Sequence, residues 1–353
     1  MDHFVFVDLF CGGGGSTSGA VKALRDAGIS FKGYCFDQWS TAVETIKTNY
    51  PELSVHCTPV EKIDPVDLAK KAGHVDVLWA SPSCTHHSNM AGGIKRKTSL
   101  RNQPDMIPAF LKALSPTFLI IENVPQLKNW GPVLRVDTWI NGRLYKKGSP
   151  DPRFVGTFYQ RFLNSIEACG YTITKNVLNA ADFGSATCRY RLFLVATKKT
   201  SGKRFSWPNP THAEQQTLFI KKTWTPVCQM INWSEPLSDT PLCDQTKRRI
   251  EAGRKKHGEI FILTERGTQE RNILNSTKCI YEPITTVTCK SNHMLIIGKH
   301  HRMLTNTELS EITGFPRGYK FAGKKQMITK QIGNAVCPPV AEGLYKSILS
   351  ALN

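Results

Sequence analysis

Short apolar runs alternate with amphipathic stretches through the first two hundred residues of this chain. The runs at 4–9, 33–36, 75–80, 118–122, 172–178 and 192–196 have the length and composition of strands. A glycine loop follows the first run and leads into a helical stretch through about Asp26. Further helices fit 39–49, 105–114 and 158–168, the last stopped by Gly170. Strands alternating with helices imply a doubly wound α/β sheet. Asn141-Gly142, between Trp139-Ile140 and Arg143-Leu144-Tyr145, has the chemistry of a two-residue hairpin turn.

From about residue 200 the texture changes. Pro208, Pro210, Pro226, Pro236, Pro241 and scattered tryptophans break any regular alternation, which predicts a second, smaller, mostly irregular or β domain. Helical periodicity returns at 305–313 and 339–352. The expected division of the 353 residues is 1–197, 198–300 and 301–353, the last returning to the first domain. No internal repeat interrupts this plan.

Composition narrows the class. With 40% hydrophobic residues the chain is ordinary for a globular protein, and no apolar run approaches the roughly 20 residues of a membrane span. No basic segment precedes the apolar start at Phe4, so no signal peptide is expected. Eleven cysteines lie singly, without a Cys-x-x-Cys pair, which argues against disulfides or structural zinc and for a reducing cytoplasm. The net charge is +18, and from Thr197 to Arg302 eighteen Lys/Arg face nine Asp/Glu. Half the excess thus sits in under a third of the chain. Clustering of that kind points to nucleic acid rather than to solubility alone.

The candidate chemistry lies at strand ends. Asp8-Leu9-Phe10-Cys11-Gly12-Gly13-Gly14-Gly15 follows a strand and opens a helix, so the backbone can approach a ligand closely. Asp37, at the end of the next strand, can accept hydrogen bonds from ribose hydroxyls. That pair favours an adenosine-containing cofactor, and S-adenosylmethionine fits better than a dinucleotide. Ser81-Pro82-Ser83-Cys84-Thr85 comes straight after a strand and puts a thiol at the rim where α/β enzymes hold substrates. Glu122-Asn123-Val124 brings a carboxyl group to the same rim, a proton donor if burial raises its pKa. Arg189 and Arg191 alternate along another strand and can bind a phosphate or a base carbonyl.

The order of these segments resembles the DNA cytosine-5 methyltransferase family over nearly the whole chain. Six segments carry the resemblance: the glycine loop, 76–88 around Cys84, Glu122-Asn123-Val124, Arg189-x-Arg191, Arg302-Met303-Leu304-Thr305 with Glu308 and Gly314-Phe315-Pro316, and Gln331-Ile332-Gly333-Asn334-Ala335-Val336. Four departures stand beside them. Ser83-Cys84-Thr85 replaces the family's Pro-Cys-Gln, and Thr187 stands where a glutamine leads the Arg-x-Arg element. Gln38, with Trp39 after it, occupies the usual aromatic position, and Cys57-Thr58 replaces Gly-Asp.

The resemblance implies a Rossmann-like methyltransferase domain with a target-recognition domain at about 200–300. It implies Cys84 as covalent nucleophile at cytosine carbon 6, Glu122 as proton donor to N3, and Arg189 and Arg191 beside the base. Phe10, Gly12, Gly14, Asp37, Gln38, Asn334 and Ala335 would hold S-adenosylmethionine. A base inside a duplex is stacked, so the target cytosine must be flipped out. Lys95-Arg96-Lys97 and Lys247-Arg248-Arg249 are candidate phosphate contacts, with a solvated loop as the other reading of the first trio. The expected partner is double-stranded DNA, with a restriction endonuclease as a further one and the chain acting as a monomer. Methylation of tRNA by the same fold and a catalytically inactive DNA-binding protein are the competing readings.

Overall fold

The computed structural model describes residues 3–83, 102–216, 218, 220, 222–265, 276–290 and 292–353. Seven strands build its central sheet: β1 (Phe4–Leu9), β2 (Phe31–Asp37), β3 (Ser54–Cys57), β4 (Val77–Ala80), β5 (Phe118–Asn123), and, after a separate hairpin of β6 (Thr138–Ile140) and β7 (Arg143–Tyr145), β8 (Tyr171–Asn179) and β10 (Tyr190–Lys198). Their spatial order is β3-β2-β1-β4-β5-β10-β8, and β10 runs antiparallel to both its neighbours. The chain leaves β1 for β2 on one side and comes back to β4 on the other. The carboxyl ends of β1 and β4 therefore flank a topological switch point, where open α/β sheets hold ligands.

Burial on both faces explains why these strands read as nearly continuous apolar runs. In β1, Phe4 and Phe6 enter one layer while Val5, Val7 and Leu9 enter the other. The first layer is covered by α1 (Gly15–Asp26) and α2 (Ser40–Asn49), the second by α3 (Pro65–Ala72), α4 (Ile107–Leu114) and α5 (Thr157–Ala168). The helix expected at 105–114 starts instead as a 3₁₀ turn, Gln103–Met106, because Pro104 and Pro108 hold back regular α geometry until Ile107. Sequence patterning missed β3 and α3, though Asp64 caps α3 by accepting from the Val66 and Asp67 amides and Pro65 opens it.

Between β8 and β10 lies β9 (Thr187–Cys188), and two short strands, β11 (His212–Ala213) and β12 (Lys222–Thr223), pair with each other. Past them, α6 (Asp244–His257) packs on an antiparallel sheet of order β14-β13-β16-β17. Its strands are β13 (Ile260–Thr264), β14 (Thr277–Cys279), β16 (His293–Ile297) and β17 (His300–Met303), with β15 (Ile284–Thr285) pairing in parallel to β9. Contact with this sheet is close at Gly253, where a Cβ would come within 2.4 Å of the Phe261 ring. The segment 301–353 divides between two cores. α7 (Asn306–Thr313) and α8 (Lys325–Asn334) give Leu309, Ile312 and Ile332 to a cluster with Val227, Ile262 and Ile284. α9 (Pro338–Leu352) instead lays Val340, Leu344 and Ile348 on the first layer of the large sheet.

A buried ion pair locks the start of this last segment. Arg302 Nη1 and Nη2 donate to Glu308 Oε2 and Oε1 at 2.9 and 2.7 Å. Glu308 also accepts from the Thr305 and Asn232 amides, while Thr305 Oγ1 accepts from the Glu308 amide, forming a capping box on α7. Among the described residues no helix is long and apolar enough to cross a membrane.

Candidate active site

A cavity of about 280 Å³ opens at the switch point. The loop after β1, the ends of β2, β4 and β5, the start of β10 and the end of α8 all reach it, through Phe10, Gly12, Asp37, Ser83, Glu122, Arg189, Arg191 and Asn334 among others. Segments far apart in sequence are thus brought to one rim.

One side of the cavity is built on the glycine loop and the end of β2. Gly12 has φ +51, and a Cβ on it would meet nothing within 4 Å, so it faces open space in the cavity. Its N–H donates to Asp37 Oδ2 at 2.9 Å, and the Trp39 N–H donates to Oδ1 at 2.8 Å. Burial pushes the Asp37 carboxyl above its usual range against these amide bonds. Phe10 holds φ +59, an unusual value for a residue with a side chain, and it too lines the cavity. Gln38, Trp39, Asn334 and Ala335 complete this side, with Lys330 Nζ 4.8 Å from the centre of the Trp39 ring. Gly14 does not line the cavity. It adopts φ +86 as the N-cap of α1, and a Cβ there would come within 2.6 Å of the Tyr319 hydroxyl. The loop's glycines thus serve two ends: Gly12 opens to the cavity, Gly14 makes room for the chain's last third.

Beneath the loop, Asp8 Oδ2 accepts from the Ser16 and Thr17 hydroxyls, each at 2.7 Å. Burial pushes its carboxyl up to about 7 against those two bonds.

The reactive side is built by side chains. Arg191 Nε lies 3.2 Å from Glu122 Oε1, both groups being mostly buried. Burial raises the Glu122 pKa, while Arg191, Arg189 and a hydrogen bond from Ser81 oppose it. The net direction is the one a proton donor requires. Arg189 is differently employed: Nη1 donates to Val287 O and Nη2 to Gly333 O, both at 3.1 Å. Its guanidinium therefore fastens the large sheet to the second region and to α8, while still lining the cavity. Its Nε is buried with no hydrogen-bond partner among the described residues.

Cys84, Lys95, Arg96 and Lys97 lie outside the described residues. The segment leading into Cys84 is nonetheless well defined. Trp79 Nε1 donates to Ser81 Oγ at 2.8 Å, and Asn123 Nδ2 donates to Pro82 O at 2.9 Å. The Ser83 N–H donates to Gln103 Oε1 at 3.0 Å, and Gln103 Nε2 donates onward to Glu61 Oε1 at 3.2 Å. Sequence reasoning missed Glu61, Gln103 and Lys330, all of which line the cavity. In the second region, Lys247 and Arg248 are exposed on α6, but Arg249 is buried, on the same helix face as Thr246 and Gly253. Of that trio, two cations are open to a phosphate.

Comparison with known proteins agrees with this geometry. The model of the C-5 cytosine-specific DNA methylase family matches residues 4–141 and 153–350. The type II methyltransferase M1.HphI of Haemophilus parahaemolyticus is 24% identical over 363 residues, spanning 98% of this chain and 86% of the relative. M.BbvI of Brevibacillus brevis, also a type II methyltransferase, is 27% identical over 379 residues, 97% of this chain and 90% of its own. A prophage-encoded E. coli protein described as a DNA modification methyltransferase shares the fold, with a TM-score of 0.64, 19% identity and 99% coverage of both chains. The chain belongs to the C-5 cytosine-specific DNA methylase family.

Proposed function

We propose that this chain transfers the methyl group of S-adenosylmethionine to carbon 5 of a cytosine flipped out of a specific duplex DNA sequence, with Cys84 as nucleophile. The observation that carries the reading is the buried Glu122–Arg191 pair at one rim with the glycine cradle and the segment that leads into Cys84.

The residues present fit the cofactor. Gly12 leaves space that a side chain would fill, and Asp37 stands beside it at the end of β2. Phe10, Gln38, Trp39, Asn334 and Ala335 would enclose it. When bound, S-adenosylmethionine supplies an electrophilic methyl group on a sulfonium. The rest falls to the protein. Addition of the Cys84 thiolate at carbon 6 breaks the ring's 5,6 double bond, and protonation of N3 by Glu122 leaves an enamine at carbon 5. Arg191 would hold the exocyclic carbonyl and offset charge that develops on the ring. Once carbon 5 has taken the methyl group, its proton is lost to solvent, the carbon–sulfur bond breaks to release the Cys84 thiolate as the 5,6 double bond returns, and N3 gives its proton back to Glu122.

Residues 198–300 would read the sequence, with Lys247 and Arg248 on phosphates. Pairing with a restriction endonuclease extends the reading, supported by relatives that are type II methyltransferases. The test is methyl transfer to duplex DNA and to tRNA, followed by bisulfite mapping of the DNA. Protected cytosines within one short sequence context are expected. Transfer to tRNA alone, or to neither polymer, would overturn the proposal.

A further inference from the structure

The hairpin of β6 and β7 straddles the end of the first stretch matched by the family model. The family model is matched through β6 to residue 141 and again from residue 153, so residues 142–152, which include all of β7, lie between its two matched stretches. The sequence nonetheless specifies this ribbon closely. Asn141 and Gly142 take φ +48 and +73, both left-handed as a type I′ turn requires. Below the ladder, the Leu134 N–H donates to Ser149 O and the Gly148 N–H donates to Leu134 O. Asp137 holds the second strand by accepting from the Lys147 N–H at 2.8 Å and from Lys146 Nζ at 3.0 Å.

The hairpin is carried by the excursion between the end of β5, which brings Glu122 to the cavity, and α5. β5 ends at Asn123, one residue after Glu122, and a 3₁₀ turn, Pro125–Asn129, leads to Trp130. On the return, the Phe158 and Tyr159 amides at the start of α5 donate to Trp130 O, so both feet of the excursion are tied together there. The ribbon itself carries an exposed surface of unusual character. Trp139 and Leu144 face each other across the ladder, 70% and 38% exposed, and Val136 is exposed beside them. Arg135, Arg143, Lys146 and Lys147 are exposed as well, against the single carboxylate of Asp137. Arg143 also lies 5.3 Å from the centre of the Tyr145 ring.

A two-stranded ribbon without a third strand is marginal in water, and the Trp139–Leu144 pair still leaves most of the indole open to solvent. Its positive surplus disfavours a second copy of a chain that itself carries +18. A polyanion suits it, and a two-stranded β-ribbon has the width that the DNA major groove admits. We infer that the hairpin Thr138–Tyr145 is an additional DNA-contacting element, which lies against the duplex beside the flipped cytosine. Arg135, Arg143 and Lys147 meet phosphates, and Trp139 packs on the sugar or base edge. The inference rests on the reading of duplex DNA as substrate.

The test is equilibrium binding of the full chain to a duplex containing its mapped site, across a salt series. Wild type is compared with Trp139→Ala and with the pair Arg143→Ala and Lys147→Ala, with thermal melts as the check on folding. All three side chains are exposed, so the melts stay together. The pair is expected to lose about tenfold in affinity, with a salt slope lower by about two, near 0.9 for each phosphate contact. Trp139→Ala is expected to weaken binding several-fold with the slope unchanged. Trimming the flanking duplex should erase both differences. Affinity and slope equal to wild type would overturn the inference. So would a change in sedimentation with unchanged DNA binding, which would assign the ribbon to contact between copies. Failure of wild type itself to bind the duplex would overturn the substrate reading along with the ribbon's role.

Discussion

The seven-stranded and four-stranded sheets differ in how tightly their residues are tied to chemistry. At the first, Glu122, Arg191, Asp37 and the segment entering Cys84 must meet within a cavity of about 280 Å³, and each is fixed by at least one bond to a neighbouring element. Around the second, cations line a helix, some held in exposed pairs such as Lys247–Asp244 at 3.4 Å and Arg254–Glu259 at 3.1 Å. One region needs geometry; the other needs charge and shape. Substitutions in the first should therefore change rate, and substitutions in the second should change binding.

The largest effect tests the reactive side. Cys84→Ser should abolish methyl transfer while DNA binding persists, because an alcohol is a far weaker nucleophile than a thiolate at neutral pH. Wild type alone should form a denaturation-resistant adduct with duplex DNA carrying 5-fluorocytosine at the target. Turnover by the serine variant at the wild-type rate would sink the covalent mechanism.

Glu122→Gln comes next, with an expected loss on the order of 10² to 10⁴ in single-turnover rate and near-normal binding of DNA. The sign of its pH dependence follows from burial, which raises the carboxyl pKa and keeps the donor form populated higher than an exposed glutamate would. With the Cys84 thiolate still to be formed at lower pH, the Glu122 limb is the one on the alkaline side: wild-type transfer should fall as pH rises through that raised value, since the ionised group has no proton to give. The amide variant should lack that falling limb. Rates within a factor of about three of each other would remove Glu122 from the donor's role, being below the usual contribution of such a group.

Much of the large sheet was legible because the requirements are local and repeated. Strands buried on both faces show as apolar runs, and the reacting groups follow those runs directly. Glu61 and Gln103 were not legible, for a physical reason. Glu61 sits in a 3₁₀ turn, Val60–Lys62, after a four-residue strand, and Gln103 sits in another turn before Pro104. Neither has a periodicity or motif of its own; they meet only because β3, β4 and α4 converge. Arg249 shows the opposite failing. Three consecutive cations read as one charged surface, yet helical geometry turns the third inward with Thr246 and Gly253, three and four residues either side of it. The four-stranded sheet went unread because β13 and β16 are short, and each pairs with a strand that other segments separate from it. The Asn141-Gly142 turn was plain, and the structure has the hairpin there, with both residues left-handed.

A smaller effect sharpens the same comparison inside the catalytic region. Gln103→Ala removes the side-chain oxygen that accepts from the Ser83 N–H, loosens the segment that enters Cys84, and should slow adduct formation by roughly tenfold. Gln103→Glu keeps the acceptor but sets a second carboxylate beside Glu61, so it should also be impaired. Adding Glu61→Gln to that variant removes the like charge and should restore most of the rate. A merely structural role would give variants that melt early and show no such rescue.

The smallest effect belongs to α6, where neighbouring cations should behave differently. Lys247 and Arg248 are exposed, so replacing both by alanine should weaken DNA binding and lower the salt slope by about two, with the methylated sequence unchanged. Arg249 is 5% exposed, on the face of α6 that also buries Thr246 and Gly253. Arg249→Ala should therefore lower the melting temperature through lost packing and leave the salt slope where it was. The measurement is a salt titration of binding beside a thermal melt for each variant. A slope that falls for Arg249→Ala and not for the exposed pair would mean that α6 turns its other face to the DNA, and the division between a region of geometry and a region of charge would have to be redrawn along that helix.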